Sequence, residues 1–195
     1  MACGSPVANN NYMRVEQTPL KDCYIIHNTV FKDNRGYFFE SFNQQKFAEQ
    51  TGLDVHFVQD NQSASVRGVL RGLHFQKGEA AQAKLVRVLQ GSVLDVAVDL
   101  RKDSPTFGQH FAIELSDASN TQFFIPRGFA HGFLVLSDTA VFFYKCDNFY
   151  SKEAEGGLMY NDPELNINWG MPESELVLSE KDLKNPLFKD IADIL

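Results

Sequence analysis

Five histidines are the first side chains in this 195-residue sequence that could move a proton near neutral pH: His27, His56, His74, His110 and His131. Imidazole titrates near pH ~6.5, so one ring can take a proton and give it back. His27, His56 and His110 have no distinctive neighbours and read as ordinary surface or hydrogen-bonded histidines. His74 and His131 differ. His74 lies in Val69-Leu70-Arg71-Gly72-Leu73-His74-Phe75-Gln76, and His131 in Pro126-Arg127-Gly128-Phe129-Ala130-His131-Gly132-Phe133. On an extended strand Arg71, Leu73 and Phe75 share one face, and Leu70, Gly72, His74 and Gln76 share the other. Strict alternation therefore sets His74 opposite Leu73 and Phe75, with Gly72 leaving space beside it. Gln76 stands where an H-x-H metal pair would need a second histidine, so no metal is expected.

Composition bounds the partners. Lys and Arg number 18 against 25 Asp and Glu, a formal charge of −7, which argues against a nucleic-acid backbone. A few Arg and Lys in one pocket could still hold a small anion. A hydrophobic content of 44% with 17 Phe excludes disorder. At roughly 150 residues per domain the length implies one domain, large enough to bury a core unaided. Cys3, Cys23 and Cys146 are widely spaced with no CxxC, the usage of a cytoplasmic protein with reduced thiols. No apolar run approaches the ~20 residues of a membrane helix, so no membrane partner is expected. Residues 1–12 are polar and Asn-rich without the charged and apolar regions of a signal peptide. They read as a tail or appended extension before a single domain at 13–195.

The elements that must position the histidines are mostly short strands. Candidates are Tyr24–Phe31, Tyr37–Phe42, His56–Ser65, Val69–Gln76, Lys84–Leu89, Val93–Leu100, Phe111–Leu115, Gln122–Pro126, Phe133–Leu136 and Val141–Cys146. Gln90-Gly91-Ser92 reads as a short hairpin turn. Between Val93 and Leu100, period 2 predicts one apolar inward face, and Asp95, Asp99 and Arg101 read as surface or ion-pair residues. One helix is predicted at Gln44–Thr51, with Asn43 as N-cap, Phe42 and Phe47 as staple and Gly52 just beyond its end. Ser179–Lys184 predicts a second, shorter one. Regular strand spacing with Gly, Pro and Asn between indicates an antiparallel sandwich or barrel.

The P-x-G-x-x-H spacing ending at His131 is that of the second motif of the cupin barrel. The chain as a whole resembles the metal-independent dTDP-4-dehydrorhamnose 3,5-epimerases. The likeness runs in order through Asp33-Asn34-Arg35-Gly36-Tyr37-Phe38-Phe39-Glu40, Gln59-Asp60-Asn61-Gln62-Ser63, Gly68 to Gln76, Ala81 to Val88 and Asp95 to Arg101. It continues through Ser104 to Gly108, Pro126 to Phe133, Tyr144-Lys145-Cys146, Asn161-Asp162-Pro163 and Leu178-Ser179-Glu180-Lys181-Asp182. The resemblance implies an all-β fold, a cupin-type jelly roll (double-stranded β-helix) with a few short helices. It implies 3,5-epimerisation of dTDP-4-dehydro-6-deoxy-D-glucose to dTDP-4-dehydro-L-rhamnose, without a cofactor, by a cytoplasmic homodimer.

The same resemblance assigns roles. His74 is the base, Tyr144 the acid, and Lys84 the cation that stabilises an enolate oxygen. Asp182 orients His74, although Ser179-Glu180-Lys181-Asp182 also spells a helix-capping box. Arg35, Glu40, Gln59, Asn61, Arg71, His131, Glu155 and Lys181 map to nucleotide-sugar binding, Arg suiting a diphosphate through its two-pronged donor geometry. Arg35 also reads as a turn cation. Tyr150 maps to the ring that stacks on thymine, or is an ordinary aromatic at the barrel mouth. Three alternatives stand beside this reading: a single-centre epimerase of a related dTDP-4-keto sugar, a non-catalytic nucleotide-sugar-binding cupin, and a metal-dependent cupin oxygenase. Intact His74, Lys84 and Tyr144 argue against the second, and Gln76 against the third.

Overall fold

The computed structural model describes residues 13–191, so the expected tail at 1–12 lies outside the described residues. The strands are β1 Met13–Gln17, β2 Tyr24–Asn28, β3 Phe31–Asp33, β4 Gly36–Phe38, β5 Gln59–Val66, β6 Leu70–Gln76 and β7 Lys84–Gln90. They continue as β8 Ser92–Asp99, β9 His110–Ser116, β10 Thr121–Ile125, β11 Phe129–Val135, β12 Thr139–Cys146 and β13 Glu155–Gly157, with helix α1 at Gln44–Thr51. Two antiparallel sheets, ordered β1-β2-β10-β7-β12-β5 and β13-β6-β11-β8-β9, form the jelly roll, and β3-β4 make a separate hairpin.

Alternating side chains fill the space between the sheets. Val86 and Val88 of β7, Phe123 and Ile125 of β10 and Phe142 of β12 meet Val93 and Ala97 of β8 and Phe133 and Val135 of β11. The outer face of the β6–β11–β8 sheet is covered by the C-terminal segment through Leu158, Leu165, Trp169, Phe188 and Ile191. Strand β8 is therefore buried on both faces, not one. Its face carrying Val93, Asp95 and Ala97 looks into the barrel, while Val96, Val98 and Leu100 face the C-terminal cover.

Helix α1 is as expected. Asn43 accepts from the Lys46 N–H at 3.1 Å, and Gly52 closes the helix at φ 72° with its N–H on Ala48 O. Phe42 stands 6.0 Å from Phe47, whose ring is fully buried against Phe124. The Gln90–Ser92 turn differs: β7 and β8 belong to different sheets, so Gly91 (φ 80°) marks a corner between layers and not a hairpin. A Cβ there would strike the Thr139 carbonyl and the Ser137 hydroxyl. The predicted helix at Ser179–Lys184 shrinks to a 3-10 turn at Asp182–Lys184. The ion-pair reading of Asp99 and Arg101 agrees with their 2.8 Å contact.

The C-terminal cover hangs on Asp162, which is 2% exposed. Its Oδ1 accepts from the N–H groups of Glu164 and Leu165, and its Oδ2 from Phe188 at 2.7 Å. Removing the carboxylate strands buried donors, each at a cost of about 1–3 kcal/mol. Asp162→Ala is expected to lower the melting temperature by at least ~6 °C, at ~2–4 °C per kcal/mol for this size, in a thermal unfolding scan.

Candidate active site

Four strands carry the chemistry to one cavity of about 510 Å³. His74 on β6 and His131 on β11 are register partners in neighbouring strands of one sheet. Facing them from the other sheet are Lys84 on β7 and Tyr144 on β12. The Lys84 Nζ lies 5.9 Å from the centre of the Tyr144 ring. Arg71 and His74 line the same cavity, which strict alternation along β6 does not allow. The departure occurs at Gly72 (φ 131°), where the β6–β11 register slips between His131 and Phe133. Only glycine fits there: a Cβ would stand 2.5 Å from Gly132 Cα and 2.9 Å from the His131 carbonyl oxygen.

Asp182, on the C-terminal segment, is buried and places Oδ1 2.5 Å from His74 Nε2. Its own N–H donates to Ser179 Oγ at 3.1 Å, so the capping interaction and the His74 contact coexist. Burial works against the Asp182 charge, but hydrogen bonds from His74, Ser179 and the Gly72 N–H hold its carboxyl below the usual range. Burial pushes the Lys84 ammonium below an ordinary lysine, opposed by Cys146 and Asp95. The Tyr144 phenol is pushed up by burial and by Cys146. The barrel thus keeps the phenol protonated and makes the ammonium a readier titrating group.

A contiguous cleft of about 300 Å³ shares Asn61, His74, Lys84 and Tyr144 and extends to Gln59, Tyr150 and Glu155. At its mouth Lys181 Nζ meets Glu155 at 2.5 Å, and the Tyr150 hydroxyl donates to Glu155 at 3.2 Å. Gln59 accepts from the Tyr150 N–H at 3.3 Å and donates to Asn61 at 3.1 Å. Gln76 accepts from the Ser151 N–H at 2.9 Å and so pins the loop beside Tyr150. Among the described residues, no group of three or more His, Cys, Asp or Glu side chains is placed to hold a metal ion.

Eleven expected site residues line these two clefts. Arg35 and Glu40 do not. Arg35 sits on the exposed β3–β4 turn paired with Asp33 at 2.6 Å, and Glu40 pairs with Lys46 at 2.7 Å. Among the described residues strands β3 and β4 pair only with each other, and neither Arg35 nor Glu40 lines the cavity of its own chain. Of the two readings of Asp95, surface residue or ion-pair residue, the structure gives the second: it is fully buried and paired with His131 at 2.9 Å, next to the cavity that His131 lines. The signal in the sequence is its place between Val93 and Ala97, a lone charge on an interior face.

A jelly roll carrying a histidine–carboxylate pair, a lysine and a tyrosine around one cavity is a cupin-type barrel equipped for proton transfer. Known proteins agree. The family model described as dTDP-4-dehydrorhamnose 3,5-epimerase matches residues 17–190. A dTDP-4-dehydrorhamnose 3,5-epimerase of Salmonella typhimurium is 53% identical over 176 residues, 90% of this chain and 95% of the relative. The crystal structure of the enzyme of that name from Elizabethkingia anophelis superposes with a TM-score of 0.89 at 62% identity, covering 92% of this chain and 98% of that one. A Legionella pneumophila dTDP-6-deoxy-D-glucose-3,5-epimerase in complex with dTDP-4-keto-L-rhamnose gives 0.90 at 47% identity, over 94% and 97%. The chain belongs to the dTDP-4-dehydrorhamnose 3,5-epimerase family and is a sugar epimerase.

Proposed function

We propose that this epimerase converts dTDP-4-dehydro-6-deoxy-D-glucose to dTDP-4-dehydro-L-rhamnose through an enolate held between His74, Lys84 and Tyr144. The observation that carries the mechanism is the facing of the Asp182-paired His74 and Tyr144 across one cavity, with Lys84 beside them. The C4 carbonyl acidifies the hydrogens on C3 and C5. His74 removes a proton from one face, and the electron pair of the broken C–H bond moves onto the C4 oxygen. The Lys84 ammonium stabilises that oxygen. Tyr144 then donates its proton to the carbon from the other face. Each inversion leaves an imidazolium and a phenolate, so both must reset with solvent protons before the second carbon turns over.

Arg71 suits the diphosphate and Tyr150 the thymine ring, while Gln59, Asn61, His131, Glu155 and Lys181 supply the remaining polar contacts. Arg35 and Glu40 would meet substrate only across an interface between two copies. The exposed Phe31, Tyr37 and Phe38 of the hairpin support a homodimer, since such a cluster is usually covered. We place the enzyme in the cytoplasm, in keeping with the buried free thiols of Cys23 and Cys146. Among the described residues no helix is long and apolar enough to cross a membrane.

In heavy water with chelator present, the wild type is expected to place deuterium at both C3 and C5, read by NMR. Exchange at one carbon would instead match the 3'-monoepimerase of Streptomyces bikiniensis, a neighbour at 30% identity. The pH profile should reflect Lys84. Its charged form is the active one and its pKa is depressed, so kcat/KM should fall on the alkaline side below the usual lysine value of ~10.4. Tyr144, shifted upward, loses its proton only at higher pH.

A further inference from the structure

We infer that Asp95 is a positioning residue of the epimerisation: buried between the sheets, it fixes the tautomer of His131. The inference rests on the role proposed above for His131.

The site repeats a motif. Besides His74–Asp182, a second histidine–carboxylate pair borders the same cavity: His131 Nε2 lies 3.0 and 2.9 Å from the two oxygens of Asp95. Asp95 is 0% exposed and His131 7%. Asp95 comes from β8, flanked on the inner face by Val93 and Ala97 with Phe133 as its register partner. An aliphatic side chain would suit such surroundings, and a charge there is costly unless it is paired.

The chemistry follows from what a carboxylate can do. Ionised, it only accepts hydrogen bonds, so Nε2 of His131 must carry the hydrogen. In the neutral ring that leaves Nδ1 bare, able to accept from a sugar hydroxyl and unable to donate to a carbonyl. Burial keeps His131 toward the neutral form, opposed by Asp95 and reinforced by Lys84 and His74. Donation to the C4 oxygen then falls to Lys84 alone.

The test is Asp95→Asn, with kcat and KM measured by exchange in heavy water. We expect kcat/KM to fall on the order of 10–100-fold, as for loss of other groups that orient an active-site histidine, with KM raised because the accepting Nδ1 of His131 is no longer fixed toward the sugar. In a double-mutant cycle with His131→Asn, the two losses should be non-additive. Additive losses would overturn the inference even if the melting temperature drops. Should the variant fail to fold, ¹⁵N spectra of the wild-type histidines decide. His131 with hydrogen on Nε2 and a bare Nδ1 at pH 7 is expected; hydrogen on Nδ1 overturns the proposal. These spectra need no turnover, so they are independent of whether His74 is the base.

Discussion

His74→Ala is expected to abolish deuterium uptake at both C3 and C5 of the 4-keto sugar, while nucleotide-sugar binding persists. Loss of a positioned base removes about 10²–10⁴-fold in rate, and no other side chain around the cavity offers the same combination of exposure and pairing. His131 is nearly fully buried with its Nε2 already held by Asp95. The His74 ring is about one-third exposed to the cavity and is backed by Asp182 at 2.5 Å. Asp182→Asn makes the companion experiment. The amide keeps the shape but can offer an N–H where the carboxylate only accepted, so the ring loses both its fixed tautomer and the charge that favours imidazolium. Its rate should fall in the same direction as His74→Ala, and the double variant should be no worse than His74→Ala alone. Deuterium uptake at the wild-type rate in His74→Ala would remove it as the base. Unchanged turnover in Asp182→Asn would leave that residue with its cap to Ser179 and nothing more.

Much of this arrangement is legible in the order of residues along the chain. Period-2 patterning and turn residues locate most strands, and Asn43, Phe47 and Gly52 define α1 because capping is a local rule. What patterning does not encode is the layer a strand joins. Gln90-Gly91-Ser92 has the composition of a hairpin, yet it turns the chain from one sheet to the other, a choice made by packing across the barrel. For the same reason patterning gives β8 a single apolar face. Its second core exists only because the segment after Tyr150, whose sequence shows no clear period, folds over the sheet. Alternation sets Arg71 and His74 on opposite faces, and the irregularity at Gly72 brings them to one cavity. The cluster itself is legible through family resemblance. The burial of Asp95 is hidden, because an acidic residue on an alternating strand looks like a surface residue until the strand is known to be covered on both sides.

Tyr144→Phe should separate two events that His74→Ala stops together. The base, its aspartate and the lysine remain, so protons at C3 and C5 can still be removed and returned on the same face by His74. Turnover to inverted product should fall about 10²–10⁴-fold, while deuterium uptake with retained configuration continues. The substitution removes one oxygen from a half-buried ring that packs beside Phe142, with centroids 6.0 Å apart, so folding should be little affected. The upward shift of the phenol strengthens the expectation: Tyr144 is a proton donor throughout the neutral range, and no nearby acid replaces it. Cys146 lies on the same face of β12 but is fully buried with its Sγ accepting from Asn61 at 3.7 Å. In the proposed mechanism Lys84 is committed to the enolate oxygen. NMR distinguishes the outcomes in one experiment, because uptake and inversion are read from different signals of the same sugar ring. Inversion at the wild-type rate in Tyr144→Phe would show that the second proton comes from solvent through the open mouth beside Tyr150. Simultaneous loss of uptake and inversion would mean that the phenol is needed before the C–H bond breaks, holding the sugar against His74.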